Sequence, residues 1–154
     1  MHLTKFSDYS LRALLYLAVH HDRPVPIGEI SRAYQVSPHV MVKVTQKLVA
    51  DGLVKTVRGR HGGLALNRAP ERIGIGALVR RTETSWQLVE CFDRATNTCP
   101  IEPACELKGA LKRAQRAFVG VLDEYTLADL LPRTPALARL LHVSHTSFER
   151  TPLS

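Results

Sequence analysis

The chain has 154 residues, 45% of them apolar, which is enough for one compact domain with a projecting element and excludes wholesale disorder. Its net charge of +7 is unevenly spread: residues 1–81 hold 13 Lys and Arg against 5 Asp and Glu, a net of +8, whereas residues 82–154 hold 8 against 9, a net of −1. A basic first half points to a polyanionic partner, and three cysteines, an odd number, exclude a complete set of internal disulfides and point to a reducing, cytoplasmic setting.

The first element expected is a helix over residues 7–20, where Leu11, Leu14, Leu15 and Ala18 recur at i, i+3, i+4, i+7 and Ser7 or Asp8 stands ready as a cap. Its apolar run over residues 11–19 contains Arg12 and is too short to span a bilayer, so no membrane segment is expected. Asp22, Arg23, Pro24 and Pro26 break the chain before a short helix over 27–34, with Ile27, Ile30 and Ala33 inward. Ser37 as N-cap and Pro38 at the first helical position then start a third helix. On it Met41, Val44 and Leu48 share one face, and His39, Val42, Lys43 and Gln46 share the opposite one. The short turn Gln35-Val36 between the two gives helix-turn-helix spacing.

After Asp51-Gly52, residues 53–57 alternate as a strand, 58–63 form a glycine-rich basic loop and 64–66 a return strand. Helix, turn, helix and a two-stranded wing is the order of a winged helix-turn-helix. A further helix is expected over 75–82. Residues 83–102 show little periodicity and contain two of the cysteines. Beyond them Leu107, Leu111, Ala114, Phe118, Val121 and Tyr125 repeat every 3.5 residues on average, the spacing of a coiled-coil seam. Such a helix is about 28 Å long, too long for a small domain to cover its stripe. Thr126 is expected to cap a short helix ending before Pro132, and residues 142–154 to form a loose polar tail. The expected architecture is mainly α: a DNA-binding domain over 1–82, a cysteine loop over 83–105, a long dimerisation helix and short helices over 106–141, and the tail.

A helix entering the major groove needs an apolar back and a polar front. Ser37, His39, Lys43 and Gln46 offer hydrogen-bonding groups and Val42 an apolar contact for a thymine methyl; a merely solvated face is the alternative. Arg58, Arg60 and His61 lie on a loop thinned by Gly59, Gly62 and Gly63, which suits approach to the minor groove. Cys91, Cys99 and Cys105 form C-x7-C-x5-C. That spacing lacks the close pairs of a zinc site and is tolerated by iron–sulfur clusters; three unrelated thiols remain the plainest alternative. Glu90, Asp93 and Glu102 are local candidates for a fourth ligand, and no histidine lies between His61 and His142. No nucleotide-binding glycine loop or catalytic constellation appears, so no enzymatic activity is expected.

Leu3-Thr4-x-Phe6-x-Asp8-Tyr9-x-Leu11-Arg12-Ala13-Leu14, the residues from Val36-Ser37 to Met41-Val42-Lys43, and the wing Val57-Arg58-Gly59-x-x-Gly62-Gly63 resemble the IscR/NsrR family of bacterial iron–sulfur transcription regulators. Cys99-Pro100-Ile101-x-Pro103-Ala104-Cys105-x-Leu107-Lys108 and Tyr125-Thr126-Leu127-Ala128-Asp129-Leu130 are similar to its nitric-oxide-sensing NsrR branch. The resemblance implies a homodimer, paired through the long helix, that binds a palindromic operator in double-stranded DNA and represses transcription. It implies a cluster on Cys91, Cys99 and Cys105, of [4Fe–4S] type with [2Fe–2S] as the alternative, nitrosylated by nitric oxide to release the DNA. It also implies Asp8 of the other subunit as fourth ligand, where the residues alone give a helix cap or an i,i+4 partner of Arg12. Glu106, Leu107 and Lys108 stand where the IscR branch has a histidine, which disfavours an IscR-like site. A regulator of iron–sulfur or redox status and a zinc-binding transcription factor of the same fold are the other readings.

Overall fold

The structure is a computed structural model that describes residues 2–143. Helix α1 (Lys5–Val19) begins at Thr4, whose side chain accepts a hydrogen bond from the Ser7 N–H. The expected caps are otherwise engaged: buried Ser7 donates its hydroxyl to Thr82 at 2.7 Å, and Asp8 pairs with Arg12 one turn on. The apolar stripe foreseen on α1 is also too narrow. Ala13, Leu14, Tyr16, Leu17 and Ala18 are all buried, because α1 packs against helices and sheet on several sides.

Helix α2 (Ile27–Ala33) buries Ile30 and, unexpectedly, Glu29. The Tyr16 hydroxyl donates to Glu29 Oε1 at 2.9 Å, and Arg23 bonds both carboxylate oxygens. Burial works against the charged carboxylate, but the bonds from Arg23 and Tyr16 outweigh it and hold Glu29 below its usual pKa. Burial, and then the bond to Glu29, pushes the Tyr16 hydroxyl above its usual range.

Gln35 turns the chain at φ 53°, and helix α3 (Pro38–Ala50) follows with Ser37 in the cap position and Pro38 first, although the Ser37 side chain makes no capping bond. Met41, Val44 and Leu48 are fully buried as their spacing predicts. Thr45 joins them, its hydroxyl donating to the Val42 carbonyl at 3.1 Å. Strands β1 (Val54–Val57) and β2 (Gly63–Leu66) pair antiparallel from Val54↔Leu66 to Val57↔Gly63. Val25 extends this ladder through two 2.8 Å bonds with Leu64. Gly63 permits the approach, since a Cβ there would lie 2.6 Å from the Val25 backbone.

Helix α4 spans Ile75–Thr82, at the expected bounds. After two 3₁₀ turns, Glu90–Phe92 and Glu102–Ala104, helix α5 (Glu106–Asp123) ends before Tyr125. The chain then returns to the start of α4: Ile75 N–H donates to Tyr125 O at 2.9 Å and Leu127 N–H to Ile73 O at 2.8 Å, seating Leu127 in the core at 1% exposure. Thr126 does not cap the following 3₁₀ turn (Ala128–Leu130), whose cap position is Leu127. Its N–H and hydroxyl instead both donate to Asp129, at 2.7 Å each. Helix α6 (Thr134–Val143) closes the described chain, and the expected loose tail lies, past Val143, outside the described residues. The result is a mainly helical winged helix-turn-helix, with α2 and α3 as its paired helices and β1 and β2 as the wing.

Candidate nucleic-acid interface and cysteine loop

The polar front of α3 exists as a surface. Ser37, His39, Lys43 and Gln46 are exposed, and Val42 is half-buried between them and the core. A buried back of Met41, Val44, Thr45 and Leu48 fixes this face by packing α3 on its neighbours. Lys47, on the flank, is occupied by Asp51 at 2.8 Å, which leaves Lys43 as the unpaired ammonium of the polar front. No acidic side chain stands on that front, which presents the Lys43 ammonium beside Ser37, His39 and Gln46, groups that can both donate and accept hydrogen bonds.

The wing presents Arg58, Arg60 and His61 exposed at its tip. Two glycines there meet separate needs. Gly59 lies at φ 116°, outside the range of most side chains, and a Cβ on Gly62 would stand 2.4 Å from the Val57 carbonyl oxygen. Gly62 N–H closes the turn on Gly59 O at 3.0 Å. Neither the two arginines of the tip nor His61 has an acidic partner among the described residues.

Cys91, Cys99 and Cys105 are free thiols, each partly exposed. Cys91 lies in the first 3₁₀ turn of the loop, Cys99 precedes the second and Cys105 occupies the cap position of α5. Among the described residues no three His, Cys, Asp or Glu side chains are gathered into a group that could hold a metal ion. The donor set nonetheless suits an iron–sulfur group, because three unoxidised thiols on one loop supply the soft ligands that iron–sulfur chemistry requires. Asp8 is 41% exposed and held by Arg12 through two contacts of 2.9 and 2.8 Å. The Arg12 guanidinium in turn lies 5.9 Å from the Tyr9 ring and 5.7 Å from that of Tyr34. Burial raises the Tyr34 hydroxyl to about 12, Arg12 opposing and Asp8 reinforcing the shift.

The aperiodic cysteine segment is fastened to α5 at three places that its sequence did not announce. Glu102 pairs with Lys108, Lys112 lies 5.9 Å from the Phe92 ring, and Gln115 donates to the Trp86 carbonyl. Positions 108, 112 and 115 follow one helical face, continued by buried Val119 and half-buried Leu122. That face is therefore taken by the chain itself. The neighbouring strip is left uncovered: Leu107 is 64% and Val121 52% exposed, with Leu111 and Phe118 half-buried between them. No helix among the described residues is long and apolar enough to cross a membrane.

Residues 3–133 match the model of the Rrf2 family, described as an iron-dependent transcriptional regulator. The chain is 46% identical over 142 residues to the HTH-type transcriptional regulator NsrR of Halalkalibacterium halodurans, covering 92% of this chain and 97% of that protein. It is 43% identical to the NsrR of Bacillus subtilis over the same length and the same shares. Among solved structures it is similar to T. potens IscR, with a TM-score of 0.68 at 29% identity over 85% of this chain and 86% of the other. CymR, the global cysteine regulator of B. subtilis, superposes with a TM-score of 0.68 at 28% identity, over 84% of this chain and 95% of that one.

Proposed function

The chain belongs to the Rrf2 family of transcriptional regulators, and on that premise we propose that it is a dimeric repressor which carries an iron–sulfur cluster on Cys91, Cys99 and Cys105 and leaves its palindromic operator in response to nitric oxide. It is a DNA-binding regulator and not an enzyme. The observation that carries the finer reading is the loop of three free thiols clamped to one face of α5, in a chain this similar to NsrR proteins over nearly their full length. Bound there, the cluster, [4Fe–4S] or [2Fe–2S], supplies iron at which nitric oxide is taken up.

The chain's own residues do the rest. Ser37, His39, Val42, Lys43 and Gln46 enter the major groove, while Arg58, Arg60 and His61 follow the adjacent backbone or minor groove. The uncovered strip of α5 joins two copies and sets the distance between their reading heads. Asp8 belongs to the head and the cysteines to the segment fastened on α5. The Asp8 carboxylate would serve as a further ligand to the other subunit's cluster and would so tie one head to the opposite α5; without that tie the heads would be free to leave their paired half-sites. Residues 1–82 then act as the reading head, 83–105 as the sensing loop and 106–141 as the dimerisation segment.

The test is operator binding by anaerobically purified protein, before and after nitric oxide, with iron, sulfide and zinc assays. Each of Cys91→Ser, Cys99→Ser and Cys105→Ser is expected to lose the cluster while remaining folded. Asp8→Ala is expected to keep a cluster with an altered visible spectrum and to bind operator almost independently of nitric oxide. Stoichiometric zinc without sulfide would replace the cluster by a zinc site, and equal release by wild type and Asp8→Ala would remove the tie.

A further inference from the structure

Away from the recognition helix, the cysteines and the strip on α5 lies a cavity of about 460 Å³, bounded by the end of α1, the wing strands and the segment leading into α6. Its floor is apolar, formed by Leu17, Leu66 and Leu131, and its rim is basic, with His21, Arg23, Lys55 and Arg68 and no Asp or Glu in the lining. The rim charges are not equivalent. Arg23 is neutralised by Glu29. Arg68 donates its Nε to the neutral Gly52 carbonyl at 3.1 Å and keeps its full charge. Lys55 stands exposed on β1, with no hydrogen bond or ion pair among the described residues.

We propose that this cavity binds a small organic acid with an apolar body, Lys55 and Arg68 holding the anionic group and the leucine floor the body. Charge complementarity selects the class. A neutral apolar ligand leaves two cations uncompensated at the rim, whereas an inorganic anion leaves the floor unused. The size is that of an ordinary small-molecule site. Lys55 faces Ala65 in the strand register, and both line the cavity, so an occupant rests against the base of the wing. Such a ligand gives the head a second input, independent of anything the cysteines hold.

The probe is 1-anilinonaphthalene-8-sulfonate, read by fluorescence titration of the full chain, against N-phenyl-1-naphthylamine, which has the same aromatic body without the sulfonate. One saturable site per chain is expected, with the sulfonate about tenfold or more the tighter ligand. Lys55→Met together with Arg68→Met should remove that preference, Ala65→Trp should obstruct the cavity and weaken both probes, and Arg113→Met, the same charge change on α5, should leave the preference intact. Lys55 and Arg68 are exposed, so the fold should survive, with thermal melting as the check; if Arg68→Met lowers the melt, Lys55→Met alone decides. The proposal is overturned if the dye does not bind or if both probes bind equally. It is also overturned if the sulfonate preference persists in the methionine variants, or if Arg113→Met weakens it as much as they do.

Discussion

Gln35 sits at φ 53° between α2 and α3, a conformation that a straight side chain tolerates and a β-branched one does not. Gln35→Ile should therefore destabilise the protein by about 1–2 kcal/mol in urea unfolding, whereas Gln35→Gly should change it by no more than roughly 0.5 kcal/mol. Glu29 gives a second expectation. Its folded pKa lies below the unfolded value, so its contribution is present above the ordinary carboxylate range and is lost as pH falls through the folded pKa. Glu29→Leu orphans the buried Tyr16 hydroxyl and should cost about 1–3 kcal/mol at neutral pH. In thermal melts the gap between variant and wild type should narrow on acidification; a gap constant from neutral pH to pH about 3 would separate the stability of the head from this carboxylate. The buried role of Glu29 was not legible in the sequence, because its partners Tyr16 and Arg23 come from 13 and 6 residues away and no local period connects them. Ser37-Pro38, by contrast, marks its helix start through φ alone, and that position stands as expected even though the Ser37 side chain makes no cap bond.

At the scale of elements, the shape of the wing tip rests on its glycines. Gly62→Ala should distort the tip, because the new Cβ meets the backbone oxygens of Val57 and Gly59 at 2.4 and 2.9 Å. The tip is exposed, so stability should suffer little and DNA affinity much; electrophoretic or anisotropy binding beside a melting curve separates the two effects. Wild-type affinity in Gly62→Ala would remove the wing from the reading surface. Helix α5 shows how a period can be right and incomplete. The 3.5-residue repeat from Leu107 to Val121 marks the uncovered strip, and nothing in it announces the adjoining face of Lys108, Lys112, Gln115 and Val119. That face is mostly polar in sequence. Its attachments to Glu102, Phe92 and Trp86 exist only once the loop has folded back, so a hydrophobic pattern has no means of registering them.

For the whole molecule, the exposed strip and the basic head make linked expectations. Val121→Asp places a charge in the proposed interface and should shift the protein from dimer to monomer in sedimentation equilibrium, with the head still folded. Because paired half-sites need paired heads, operator affinity should fall far more than affinity for random DNA, and the slope of log affinity against log salt should shrink as the number of phosphates contacted falls. A Val121→Asp protein that remains dimeric would place the interface elsewhere.

Leu127 bears on how such a protein can be cut and recombined. It fills the core of the head from beyond α5, held there by the backbone pairing of Ile73 and Ile75 with Leu127 and Tyr125. A fusion protein that borrowed only the first four helices and the wing would carry an open core, at a loss of about 2–5 kcal/mol for a missing buried leucine. The transferable module has to include the returning chain. Topologically, the cysteine loop and α5 are then an insertion whose two ends are already stapled together, not an appendage. Exchange of that insertion for another segment, with α4 and Leu127 kept, should therefore leave the core of the head closed.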